Sequence, residues 1–252
     1  MLEIDRQPSP QVALSYCQSL LRRNRTQPHL PPSQISLLQQ WATVPISSLL
    51  LLDNSIRNLS KTLLIDLLKV LNLFNTPVIW VLRFPDFRDT ELSSANILRM
   101  LLTQALQLNP SSISQHTTPA TLTRFNTAST DQDWLYLLNQ AFAGLPRVFV
   151  AIDAELLAFA VGHSKYRATR WLEMVLRSIK PTSLKMFIAA SIVDENYMSR
   201  NWEAETWLRV SARTDPKKSN SRRNRGQNIT RLGRQMKSSM HAEWRVEQDL
   251  PE

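Results

Sequence analysis

Lys61 and Thr62 open an apolar helical stretch, and Ser55 and Ser60 stand before them in the window S-x-x-x-x-S-K-T. Directly upstream lies the apolar run Leu49 to Leu52, ending in Asp53. The pattern G-x-x-x-x-G-K-[ST] describes a loop whose backbone N–H groups cradle phosphates, and here both of its glycines are serine. In that chemistry Ser55 and Ser60 border the phosphates, Lys61 reaches the terminal ones and Thr62 holds a magnesium ion. Glycine is what allows the close approach. A lost charge-assisted hydrogen bond costs roughly 1.5–3 kcal/mol, and losing two weakens binding by about two to four powers of ten. Changing both serines to glycine is therefore expected to tighten binding. The same residues also read as a plain strand, turn and helix carrying a surface lysine.

A second group lies 92 residues beyond Lys61. Arg147-Val148-Phe149-Val150-Ala151-Ile152-Asp153-Ala154-Glu155 is an apolar strand ending in a carboxylate. A strand-end Asp of this kind can hold magnesium, and a neighbouring Glu can orient water. Asp153 joins Thr62 as a candidate magnesium ligand, and Glu155 is the candidate catalytic group. Strand-end carboxylates are common, so the pair takes its meaning from Lys61 belonging to the same expected sheet. In open α/β sheets ligands bind at the carboxyl ends of the strands. The cofactor implied is ATP or GTP with magnesium.

The elements that must position these residues follow from periodicity and punctuation. Ser9 and Pro10 start an amphipathic helix over residues 9–25, with Val12, Tyr16, Leu20 and Leu21 on one face. A Pro-rich linker and a short helix through Leu37, Leu38 and Trp41 follow. The spacing then predicts strand 48–53, helix 62–72, strand 78–82 and a helix from Ser93 or Ser94 to Leu106. Residues 111–130, rich in Ser and Thr, read as a surface excursion. A helix through Trp134, Leu135, Leu138 and Phe142 ends at Gly144. Strand 148–152, helix 167–178, strand 186–190 and a fifth strand within 206–212 complete the pattern. Continuous apolar strands alternating with helices predict an α/β fold with a mostly parallel sheet covered on both faces. The organisation expected is an N-terminal helical segment at 1–45, an α/β domain at 46–212 and a basic tail at 213–252.

Composition narrows the function. Four glycines occur, none among the first 143 residues, so a glycine-rich loop there is excluded. Cys17 is the single cysteine, which rules out an intramolecular disulfide and argues against a structural zinc site. On its amphipathic helix it is expected to be buried. His29, His116, His163 and His241 show no metal-ligand spacing. The N-terminus lacks an apolar signal core, and the longest apolar run carries Asp153 and Glu155, so no membrane segment is expected. A cytoplasmic location follows, with nuclear import open through the tail. The net charge of +9 is concentrated there: residues 213–237 hold nine Lys or Arg against the single acid Asp215. Lys217, Lys218, Arg222, Arg223 and Arg225 are the candidate nucleic-acid contacts within residues 213–239. With no core residues, that tail is expected to be disordered. Arg200, Trp202, Trp207 and Trp244 lie near it and could stack on bases.

Taken in order, three segments carry a resemblance. The strand–S-x-x-x-x-S-K-T–helix, Ser94-Ala95-Asn96-Ile97-Leu98-Arg99-Met100-Leu101-Leu102, and Gly144-Leu145-Pro146-Arg147 through Asp153-Ala154 resemble the NACHT-type STAND P-loop NTPases abundant in filamentous fungi. Ser183 to Ser191 is similar to the following strand, which carries the sensor position. The resemblance runs from about Trp41 to Ser191 and implies a three-layer P-loop-like sandwich. The departures are specific: serines at 55 and 60, Leu156 and Leu157 where an acidic pair belongs, and Ile192 where an arginine follows the sensor serine. Glu155 is displaced by about two residues from the acidic pair. The reading is a degenerate signalling or scaffold protein with weak or absent nucleotide binding, little hydrolysis and a protein partner. A slow ATP- or GTP-dependent switch using Lys61, Thr62 and Asp153 is the alternative from the enzyme class. A nucleic-acid-associated protein working through its tail is the alternative from the binding class.

Overall fold

A computed structural model of the chain describes residues 9–22, 28–53, 57–89, 91–112, 118–180, 182–211 and 213–214. Five strands form one all-parallel sheet: β2 (Ser48–Asp53), β3 (Val78–Val81), β4 (Arg147–Ile152), β5 (Ser183–Ala189) and β6 (Trp207–Ser211). Their order across the sheet is β3-β4-β5-β2-β6. A separate two-residue pairing joins β1 (Pro28–His29) to β7 (Arg213–Thr214), antiparallel. The helices are α1 (Pro10–Arg22), α2 (Pro32–Thr43), α3 (Arg57–Leu73), α4 (Ser94–Leu108), α5 (Thr118–Thr127), α6 (Asp131–Ala141), α7 (Ala154–Ala160), α8 (Lys165–Ser178) and α9 (Glu195–Asn201). The fold is α/β, consistent with a P-loop-like three-layer sandwich.

Chain direction assigns the layers. From β2, α3 carries the chain to the far edge strand β3, and every later connection runs back the other way. Right-handed crossovers therefore place α3 on one face and the later helices on the other. In agreement, α1 packs against α3, whereas α4, α6, α8 and α9 pack side by side in sequence. Leu49, Leu50, Leu51 and Leu52 are completely buried, as a strand covered on both faces requires. Each such leucine contributes roughly 1.5–3 kcal/mol. Trp41 of α2 meets Phe149 and Phe187 edge to face, with ring centroids 5.8 and 6.4 Å away.

Local chemistry sets the helix ends. Ser93 caps α4 and Thr130 caps α6, each through a reciprocal capping box with the third helical residue, Asn96 or Asp133. Gly144, at φ +85°, takes the left-handed turn that leads from α6 towards β4. Lys185 was not singled out by sequence. It lies fully buried in β5, its ammonium donating to Ile46 O at 2.7 Å and Ser48 Oγ at 2.9 Å.

Three local readings change. Helix α3 begins at Arg57 rather than near residue 62, so Ser60, Lys61 and Thr62 are helical residues and not loop residues. The Ser/Thr-rich stretch contains α5, whose Phe125 packs edge to face on Trp134 at 5.2 Å. Helices α7 and α9 were not anticipated, being too short, at seven residues each, to set up a helical period of their own. No described helix is long and apolar enough to cross a membrane.

Candidate functional site

The parallel registers bring Asp53, Ile152, Val81 and Ala189 to one edge of the sheet. Lys61 and Asp153 therefore stand on the same edge, and two further charges join them. Asp153 caps α7: its Oδ1 accepts from the Glu155 backbone N–H at 2.9 Å. Its Oδ2 accepts from Arg83 Nε at 2.8 Å. Arg83 follows the apolar run Val78 to Leu82 that contains β3, and donates through Nη1 to Glu155 Oε2 at 2.5 Å. Lys61 Nζ donates to Glu155 Oε1 at 2.5 Å. Lys61, Glu155, Arg83 and Asp153 thus form one chain of alternating charge, with side-chain exposures of 18, 21, 16 and 7%.

Burial alone would lower the Arg83 pKa, but Asp153 and then Glu155 outweigh it and hold the guanidinium above its ordinary value. The Arg83 carbonyl accepts from the Cys17 thiol at 3.4 Å. Burial, with a further push from Asp153, raises Cys17 to about 12. The thiol is neutral and is no nucleophile. Asp53, at the end of β2, belongs to a second network. Arg209 donates to its Oδ2 through Nη2 at 2.6 Å and Nε at 3.0 Å, and to Glu195 Oε2 through Nη1 at 2.6 Å.

Between the two networks lies a cleft of about 620 Å³ over the carboxyl ends of the strands. Ser60, Lys61 and Glu155 line it, together with Asp53 and the backbone turn after β5. Thr62 and Asp153, both buried, are not among its lining residues. Ser55 lies outside the described residues, as do Lys217, Lys218, Arg222, Arg223 and Arg225.

These residues do not fit the magnesium–phosphate pair that the resemblance implies. A bound cation at Asp153 would have to displace a guanidinium already 2.8 Å away, and the other oxygen caps a helix. A phosphate at Lys61 would have to displace Glu155. Ser60 also has an ordinary helical backbone that needs no glycine. Ser60 is in α3, and the described non-glycine residues at positive φ are Asn75, Asp86 and His163.

Sequence reasoning missed Arg83, Arg209 and Glu195. Arg83 carries the signal used for Asp53 and Asp153, a charge immediately after an apolar strand of a parallel sheet. Applying that rule to every strand would have found it. Arg209 lies inside a strand and Glu195 in a short helix, and nothing local marks either. Compared with known proteins, the chain matches no family model, no curated protein and no solved structure.

Proposed function

We propose that the chain is a degenerate NACHT-like domain that acts as a signalling or scaffold module for a protein partner, with weak or absent nucleotide binding. The observation that carries this reading is the Lys61–Glu155–Arg83–Asp153 network. Arg83 supplies the positive charge that a metal would bring to Asp153, and Glu155 supplies the negative charge that a phosphate would bring to Lys61. The site is thereby neutralised from within, and its two acids serve the fold. Catalysis has no free base there: Glu155 accepts from two cations, and Leu156 and Leu157 follow it.

Thermal-shift titration tests this. A ligand at 100 times its Kd stabilises the native state by about 2.7 kcal/mol, which raises Tm by roughly 5–10 °C in a chain of this size. The expected result at ~1 mM Mg-ATP or Mg-GTP is no rise of that order. A rise abolished by Lys61→Ala would replace this reading with the switch that uses Lys61, Thr62 and Asp153. That second reading is favoured by the cleft beside Lys61, whose volume of about 620 Å³ lies within the range of small-molecule sites.

A further inference from the structure

Part of the cleft lining is left unused by the ion pairs. Of its lining carboxylates, Asp53 and Glu195 are held by Arg209, and Glu155 by Lys61 and Arg83. Arg88 and Lys165 also line it, both exposed, and no described carboxylate lies within ion-pairing distance of either. The Lys61–Glu155–Arg83–Asp153 chain cancels and the Arg209 network keeps one negative charge, so Arg88 and Lys165 stand as two cations outside both networks and tip the balance positive.

Aromatic rings stand beside them. Phe159 meets Phe87 at 5.9 Å and His163 at 6.1 Å between ring centroids, both edge to face, and all three rings line the cleft. The Arg88 guanidinium sits 5.6 Å from the Phe87 centroid, so cation and ring are presented together. Unmatched cations give charge-assisted hydrogen bonds to an anion, and an aromatic wall gives stacking or edge contacts to a planar ring. We propose that this cleft binds a small planar aromatic anion without a metal. Its negative group is held by Arg88 and Lys165, and its ring lies against Phe87, Phe159 and His163. The site rests on the reading that Lys61 is spent on Glu155, since the anion is then held by Arg88 and Lys165 instead.

The test is calorimetric titration of the full chain in EDTA with 1-naphthyl phosphate, 1-naphthol and inorganic phosphate. The expected result is that 1-naphthyl phosphate binds at least about tenfold more tightly than either fragment, because each lacks one of the two contributions. The double change Arg88→Ala with Lys165→Ala should weaken it by about tenfold or more, whereas Arg177→Ala, outside the cleft, should leave it unchanged. Both altered side chains of the double variant are exposed, so the fold should persist, and an unshifted Tm checks this. Equal binding of 1-naphthol, retention of binding in the double variant, or absence of binding by 1-naphthyl phosphate at ~5 mM (a Kd far weaker than any useful site) would overturn the proposal. So would a loss in Lys61→Ala as large as in the double variant. A Lys61-dependent response to Mg-ATP overturns the scaffold reading, whereas failure of metal-free 1-naphthyl phosphate overturns this site alone.

Discussion

At the scale of single residues, removing Arg83 strands Asp153 at 7% exposure and leaves Glu155 with one cation instead of two. Breaking a buried pair from one side costs far more than the pair contributes, because the survivor stays desolvated. Arg83→Met is expected to lower the unfolding free energy by about 3 kcal/mol in urea titration. Asp153→Asn keeps an N-cap side chain and should cost less, about 1 kcal/mol. The double variant should be milder than the sum, and strict additivity would show that the two residues do not interact. Cys17 gives a pH signature next to this network. Its folded pKa of about 12 exceeds the ordinary value of 9.0, so folding favours the thiol over the thiolate. The resulting stability is fully present below pH 9 and is lost as pH rises through 12. The difference in stability between wild type and Cys17→Ala should therefore shrink between those limits, at most by about 1.4 kcal/mol per pH unit. A constant difference across that window would contradict the assigned burial.

At the scale of elements, the start of α3 at Arg57 decides what the serine–lysine–threonine run can do. A phosphate cradle needs several consecutive backbone N–H groups turned towards one point, and a helix instead commits them to carbonyls four residues back. Ser60→Gly then removes a residue of better helix propensity and restores no backbone freedom that the site uses. The expected outcome is a loss of about 0.5–1 kcal/mol in chemical denaturation, with no gain in Mg-ATP binding by calorimetry. A tighter nucleotide without loss of stability would mean that this turn of helix opens to form a loop. α7 gives a parallel case: Asp153 is spent on its first turn, so the strand-end carboxylate that invites a metal reading is a helix cap.

At the scale of the whole molecule, charge is divided between an ion-paired α/β body and a basic C-terminal segment. Residues 213–237 carry nine Lys or Arg and one acid. Any nucleic-acid binding should therefore be electrostatic and reside there. If about half of those cations reach phosphates, log affinity falls with log salt at a slope near −4. Arg213–Thr214 pair with Pro28–His29, so a chain ending at Thr214 keeps that pairing while losing eight of the nine cations. It should remain folded by circular dichroism and lose binding to a labelled oligonucleotide. Binding that survives this cut, or that ignores salt, would place the contact in the body instead.

The sequence by itself determined the α/β class and the positions of the five strands of the parallel sheet, but not the short pairing of Pro28–His29 with Arg213–Thr214, which lies in stretches that read as linker and tail. It also marked the start of α4 at Ser93 or Ser94 and the burial of Cys17, because each rests on residues a few positions apart. Alternation of apolar runs with helical periods is a local record of which backbone is covered. It also placed Lys61 and Asp153 at strand carboxyl ends, since both follow apolar runs in a parallel sheet. Only the tertiary structure decided what those residues touch. Lys61 meets Glu155 across 94 positions and Arg83 meets Asp153 across 70, while Arg209 reaches Asp53 across 156. Those pairings depend on the order β3-β4-β5-β2-β6, which sets β5 between the strands that carry Asp53 and Asp153. Periodicity says that a strand is buried but not which strand lies beside it. A charge at a strand end finds its partner through that neighbour.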